Sequence, residues 1–202
     1  MIVRKQIAAN GSRIVGTLNS VRLTLALAVL AFVGCAATAV KSPNDAARPL
    51  LAPSSLGVDR TANQIVRGAF GEREMTLTCV VTVKDGVMTV VGLSAMGIRL
   101  FTLRYDGVQT TIENTLPIPP QLTPERLLGD LQLVYWPLSV LDKSLQVAGW
   151  QVSEPTPGTR RLRRDNRLIA EVHFAGVDAW QGRSWLVNLE HGYTLSIESK
   201  GL

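Results

Sequence analysis

Cysteine and histidine are scarce, with two of each in 202 residues. A disulfide framework needs more thiols than that. A zinc site needs His and Cys at close spacing, which Cys35, Cys79, His173 and His191 do not have. His173 lies between Val172 and Phe174 in a strand-like run, and His191 lies in the turn-like Glu190-His191-Gly192; both read as structural. Phosphate loops, dinucleotide fingerprints and calcium loops are missing. Gly92-Leu93-Ser94-Ala95-Met96-Gly97 has one residue too many for a nucleophile elbow, and no helical pattern follows it. No metal, cofactor or catalytic residue is therefore expected. An ester hydrolase would need Ser94 or another serine beside a histidine with an acid in reach.

An excess of one charge is also missing from most of the chain. The net charge is +5, but four of the 21 basic residues and none of the 16 acidic ones lie in the first 34 positions. The remainder carries 17 basic against 16 acidic residues, a net +1, which argues against nucleic acid as a partner.

Those four are Arg4, Lys5, Arg13 and Arg22, and twelve residues without a charge follow them, Leu23 to Gly34. A positive flank, a short apolar run and a small residue at its end make a secretory signal, too short to span a bilayer comfortably. Val33-Gly34-Cys35 resembles the ending at which bacterial lipoprotein signals are removed, although Phe32 stands where leucine is usual. Cys35 is then the lipid-attachment residue and residues 1–34 the signal peptide. Cleavage without acylation and an uncleaved anchor are the alternatives. With Cys35 acylated, Cys79 has no partner for a disulfide; it alternates in step with Leu77, Val81 and Val83 and reads as a buried, inert thiol.

Residues 35–60, with Pro43, Pro49 and Pro53 among small residues, read as a flexible tether. Residues 61–202 read as one domain with enough length for a sizeable core. From about Gln64 the pattern turns to strands. Thr76 to Val83 alternates threonine with apolar residues, and Asp85-Gly86 turns it into Val87 to Leu93. Gly92 and Gly97 mark a bulge or bend. Ile98 to Tyr105 and Val108 to Asn114 complete a meander around Asp106-Gly107. Thr123-Pro124-Glu125 then opens a helix with a capping hydroxyl, a first-position proline and an acid in the first turn. Leu127, Leu128, Leu131, Val134 and Tyr135 form its stripe, and Pro137 separates it from a second helix over Leu138 to Val147. Strands return at Trp150 to Ser153, Arg160 to Arg164, Arg167 to Phe174, Trp185 to Leu189 and Tyr193 to Ile197. Strands, helices, strands in that order predict an α+β fold: a curved antiparallel sheet with helices on its concave face.

Two features remain. Arg160, Arg161, Arg163, Arg164 and Arg167 crowd a hairpin around Asp165-Asn166, where they could meet anionic headgroups or stand as solvated edge charges. Trp136, Trp150, Trp180 and Trp185 could line an acyl cavity or fill a plain core.

Gly97 to Gly107, the run Asp130-Leu131-Gln132-Leu133-Val134-Tyr135-Trp136-Pro137, and the closing Gly192-Tyr193-Thr194-Leu195-Ser196-Ile197 together resemble an uncharacterised family of bacterial outer-membrane lipoproteins. That family is often encoded with aryl-polyene biosynthesis genes and is itself similar to the lipoprotein carriers LolA and LolB. The resemblance implies an unclosed β-barrel capped by helices, with an apolar cavity for an acyl chain or lipid-like molecule. On this chain Leu77, Cys79, Val81, Val83, Phe101, Leu103, Leu131 and Trp136 are the candidate lining. It also implies a periplasm-facing position on the outer membrane, since Ala36 follows the cysteine where an aspartate would retain a lipoprotein in the inner membrane. Partners are then the membrane through acylated Cys35, a lipid or polyene ligand and a periplasmic carrier. A packed structural lipoprotein that binds a protein is the competing expectation, and cavity volume separates the two.

Overall fold

The structure, a computed structural model, describes residues 48–114 and 121–202. The expected signal segment and Cys35 lie outside the described residues.

Ten strands form one sheet: β1 (Arg60–Phe70), β2 (Arg73–Lys84), β3 (Val87–Leu93), β4 (Arg99–Tyr105), β5 (Thr110–Asn114), β6 (Trp150–Thr156), β7 (Thr159–Arg164), β8 (Arg167–Ala175), β9 (Gln181–Asn188) and β10 (Tyr193–Gly201). Their order is β5-β4-β3-β2-β1-β10-β9-β8-β7-β6, with every neighbouring pair antiparallel. The two edges, β5 and β6, do not meet, so the curved antiparallel sheet that the element order predicts is an unclosed barrel, as the family resemblance implies. Two helices, α1 (Pro124–Tyr135) and α2 (Leu138–Gln146), stand between its halves in the chain.

The turns follow from residue chemistry. Asp85 (φ 51°) with Gly86 (φ 74°), and Asp165 (φ 50°) with Asn166 (φ 62°), hold the two consecutive positive φ values that a tight hairpin of right-twisted strands requires. The β3–β4 pairing shifts register between Gly92 and Leu93, the bulge expected there. β5 begins at Thr110 rather than Val108, because Asp106 Oδ1 accepts from the amides of Val108 and Gln109 and keeps both in the turn. Thr123 caps α1 by accepting from the Arg126 amide, with Pro124 in the first position.

Of the expected tether, the part within the described residues is docked. Pro53–Leu56 forms a turn of 3-10 helix, and Leu51 and Leu56 are buried. The strap, residues 48–57, crosses α1. Gln132 holds Leu51 by both main-chain groups, accepting from its amide (2.9 Å) and donating to its carbonyl (2.7 Å). Trp136 Nε1 donates to Ser55 Oγ, and Arg48 pairs with the buried Asp130 at 2.9 Å. A Cβ at Gly129 would strike the Arg48 guanidinium, so glycine lets the strap pass close to the helix. The proline-rich composition sets the tether boundary too late, because extended backbone satisfied by side-chain amides needs no periodic pattern.

With the strap on one side and the sheet on the other, α1 is buried from Leu128 to Tyr135. Asp130 and Gln132 are buried among apolar neighbours because each finds its partners there.

Candidate functional site

The inner face of the sheet is set by period-two alternation. Even positions of β1 and odd positions of β2 and β10 point inward, so Gln64 stands opposite Cys79 on one side and Ser199 on the other. Between this face and α1 lies an apolar cavity of about 140 Å3. β1 contributes Gln64, Val66, Gly68 and Phe70; β2 contributes Met75, Leu77 and Cys79. Val90, Leu100, Phe101, Leu195 and Ile197 continue the wall, and Leu122, Leu127 and Leu131 close it from the helix side. The β1 lining runs from Gln64 to Phe70, seven residues that present four side chains or glycine faces to the cavity. Val66, Met75, Leu77, Leu100, Leu122 and Leu127 are half-buried, whereas Cys79, Leu131 and Ile197 are buried.

Gly92 shapes the wall. It pairs with Phe101, whose ring lies over the glycine where a Cβ would collide with it. In the buried part a polar cluster forms. Gln64 Nε2 donates to Tyr135 Oη (2.6 Å), which also bonds Ser199 Oγ (2.7 Å). Burial pushes the Tyr135 hydroxyl above its ordinary range and the Cys79 thiol up to about 12, so Cys79 stays protonated and inert at physiological pH.

Of the expected lining, Leu77, Cys79, Phe101 and Leu131 meet in this cavity. Val81, Val83 and Leu103 are buried elsewhere in the core, beyond the cavity. Trp136 is buried against the strap, and none of the four tryptophans lines the cavity; Trp150 and Trp180 are core, and Trp185 is exposed. The sequence reading missed Gln64, Val66, Gly68, Phe70, Met75, Val90, Leu100, Leu122, Leu127, Leu195 and Ile197. Period-two spacing in β1 and the i, i+4 step from Leu127 to Leu131 carry the signal for several of them.

The arginine hairpin divides. Arg160 is buried, and its guanidinium is used up inside the protein. It donates to the carbonyls of Leu133 (2.6 Å) and Trp136 (2.9 Å), pairs with Glu154 and lies over the Phe174 ring. The cause is Pro137. Leu133 would bond the amide four residues on, which proline lacks, and Arg160 supplies that donor. Arg161 pairs with Glu171, holding its carboxyl below the usual range, and Arg163 donates to the Asn166 carbonyl. Arg164 lies over the Trp150 ring, and Arg167 is exposed at the turn.

Ser94 Oγ accepts from the amides of Met96 and Ile98 and so holds the β3–β4 turn. His173 sits between Thr159 and Glu171 on the outer face of β7 and β8, and His191 sits beside Glu190 in the β9–β10 turn. Neither histidine lines the cavity. Among the described residues no group of three His, Cys, Asp or Glu side chains is gathered to hold a metal, and no helix is long and apolar enough to cross a membrane.

Fold and cavity together define an α+β open-barrel protein with an internal apolar site. The chain belongs to a family described as a protein of unknown function, DUF3261, whose pattern matches residues 61–201. Among solved structures it is similar to a LolA superfamily protein from Nitrosomonas europaea, at 9% identity over 75% of this chain and 92% of that one, with a TM-score of 0.41. It is also similar to a DUF1329 family protein from Desulfovibrio piger, at 9% identity over 73% of this chain and 87% of that one, with a TM-score of 0.35. No curated protein matches it.

Proposed function

We propose that this protein is a lipoprotein anchored to the periplasmic face of a Gram-negative outer membrane through acylated Cys35, and that it binds without catalysing. Its cavity takes the apolar end of an acyl chain or polyene lipid, received from a periplasmic carrier and passed to the membrane. The observation that carries this reading is the cavity itself, walled by apolar side chains with one polar residue, Gln64. A solidly packed structural protein would fill that space, and Trp136, the side chain best sized to do so, is turned to the strap instead. The open volume matches a benzene-sized group. The rest of a longer chain would leave past the half-buried part of the lining. Anchoring is strong enough for the task, because each buried methylene contributes about 0.8 kcal/mol and two chains suffice for stable attachment.

Purified protein extracted and examined by lipid mass spectrometry should carry a co-purifying amphiphile, and fluorescent fatty acids should displace it. Protein that carries none and binds none of the probes is the result that would sink the reading. Intact mass of wild type against Cys35→Ala tests the anchor: the acyl mass should vanish in the variant.

A further inference from the structure

Three buried side-chain atoms have no hydrogen-bond partner among the described residues: Gln64 Oε1, Thr102 Oγ1 and Ser184 Oγ. Of these three residues, Gln64 alone lines the cavity. Its side chain is 2% exposed, and its other amide atom is fixed, with Nε2 donating to Tyr135 Oη and Tyr135 in turn bonded to Ser199. The amide is therefore held in place from behind. Cys79, its cross-strand neighbour, is an indifferent partner, a thiol kept protonated by burial. A buried carbonyl oxygen left without a donor is costly, and native proteins retain such atoms where a ligand or water completes them. Apart from Gln64 the cavity lining is apolar. A water there would find few of the two to four polar partners it needs.

We propose that the ligand of this cavity carries a hydrogen-bond donor, a hydroxyl group, at its buried apolar end, and that this hydroxyl donates to Gln64 Oε1. The proposal rests on the reading of the cavity as a ligand site and adds the class of ligand: an apolar chain or ring tipped with a hydroxyl, inserted tip first. A plain methyl-ended chain would leave the carbonyl unpaired. A site built to bond a hydroxyl discriminates strongly against the analogue lacking it, so Gln64 is the specificity-determining residue.

The test uses probes that fit the volume. Toluene, p-cresol and anisole are close in size; p-cresol adds a donor, and anisole adds an acceptor only. Each is titrated into the methyl-labelled acylated protein anchored in a lipid nanodisc, and the shifts of the Leu77, Leu131 and Ile197 methyls report the affinity. Uptake by the lipid is common to all variants and cancels between them. The ratio of toluene to p-cresol dissociation constants should fall at least tenfold in Gln64→Leu. It should fall equally in Gln64→Met, which preserves side-chain length and guards against a folding effect. Anisole should follow toluene in every variant. A ratio that stays within twofold of wild type in both variants overturns the proposal while leaving the cavity reading intact. A gain for anisole that depends on Gln64 would mean that the amide presents its N–H to the ligand, and it overturns the donor assignment. Shifts with none of the three probes would remove the cavity reading itself, and the proposal with it.

Discussion

Replacing Arg160 with alanine should unfold the protein far more easily than its place in an arginine-rich hairpin suggests. The guanidinium reaches two main-chain carbonyls at the end of α1, those of Leu133 and Trp136, and lies 5.1 Å from the Phe174 ring centre. Hydrogen bonds to a charged group contribute about 1.5–3 kcal/mol each, and a carbonyl stranded in the interior costs about 1–3 kcal/mol. The stacking adds roughly 0.5–2 kcal/mol. The pair with Glu154 adds little, because that carboxylate is about a third exposed. These terms overlap and are not additive, so the expected loss is about 4 kcal/mol. With a urea slope of roughly 2 kcal/mol/M, the unfolding midpoint should drop by about 2 M. Arg160→Lys should recover part of the loss, since an ammonium can donate to the two carbonyls that Nη1 serves but lacks the planar guanidinium that also pairs with Glu154 and stacks on Phe174. Arg163→Ala is the control: its side chain donates to the Asn166 carbonyl at an exposed site and should cost under about 0.5 kcal/mol. Equal midpoints for Arg160→Ala and Arg163→Ala would refute the reasoning, and Arg160 would be a surface residue after all.

Asp130→Ala should cost about 3–5 kcal/mol in the same urea assay, because it strands both Arg48 and the Tyr193 hydroxyl that the carboxylate accepts. Asp130→Asn should cost less, as it keeps an acceptor for Tyr193. Gly92→Ala should drive the Phe101 ring toward the cavity, weakening fatty-acid binding at least severalfold, read by fluorescent-probe displacement. In Cys35→Ala protein, Cys79 should resist a thiol reagent at pH 8 until urea is added, because burial has pushed its thiol up to about 12. Burial lowers the pKa of His191, with Arg126 adding to the effect. The neutral ring is therefore favoured in the folded state. Its contribution to stability is present above the ordinary value of about 6.5 and is lost as pH falls through the lowered folded value. Melting temperatures between pH 7 and pH 5 should consequently fall more steeply in wild type than in His191→Gln.

The strand-helix-strand order was legible because most strands and both helices carry their own punctuation. Asp85-Gly86 and Asp165-Asn166 mark hairpins, Thr123-Pro124 starts a helix and Pro137 ends it. β1 was not legible as a separate strand, although it is the one on which the two halves of the sheet join. Its inner face holds Ala62, Gln64 and Gly68, two small residues and an amide, so the alternation that betrays β2 is faint. What makes these residues poor strand signals also leaves room above them. Small side chains in the middle of a sheet keep the helix from packing down fully, and the cavity is the space that results.

The same reasoning explains why arginines and polar helix residues misled or stayed silent. Arg160 and Arg161 are adjacent and identical in sequence, yet the strand alternation sends one inward to the Leu133 carbonyl that Pro137 left without a donor and the other outward to Glu171. No local pattern carries that, because the demand arises 23 residues earlier, at Pro137. At the end of α1, Asp130, Gln132, Tyr135 and Trp136 share one short run, and each answers a different partner: Arg48 with Tyr193 of β10, Leu51 of the strap, Gln64 of β1, and Ser55 of the strap. A helix that must be satisfied on all sides needs polar groups at spacings no single stripe predicts. Gln64 differs from these: its amide nitrogen donates to the helix at Tyr135, and its oxygen has no hydrogen-bond partner among the described residues, which is the demand the proposed ligand hydroxyl would answer.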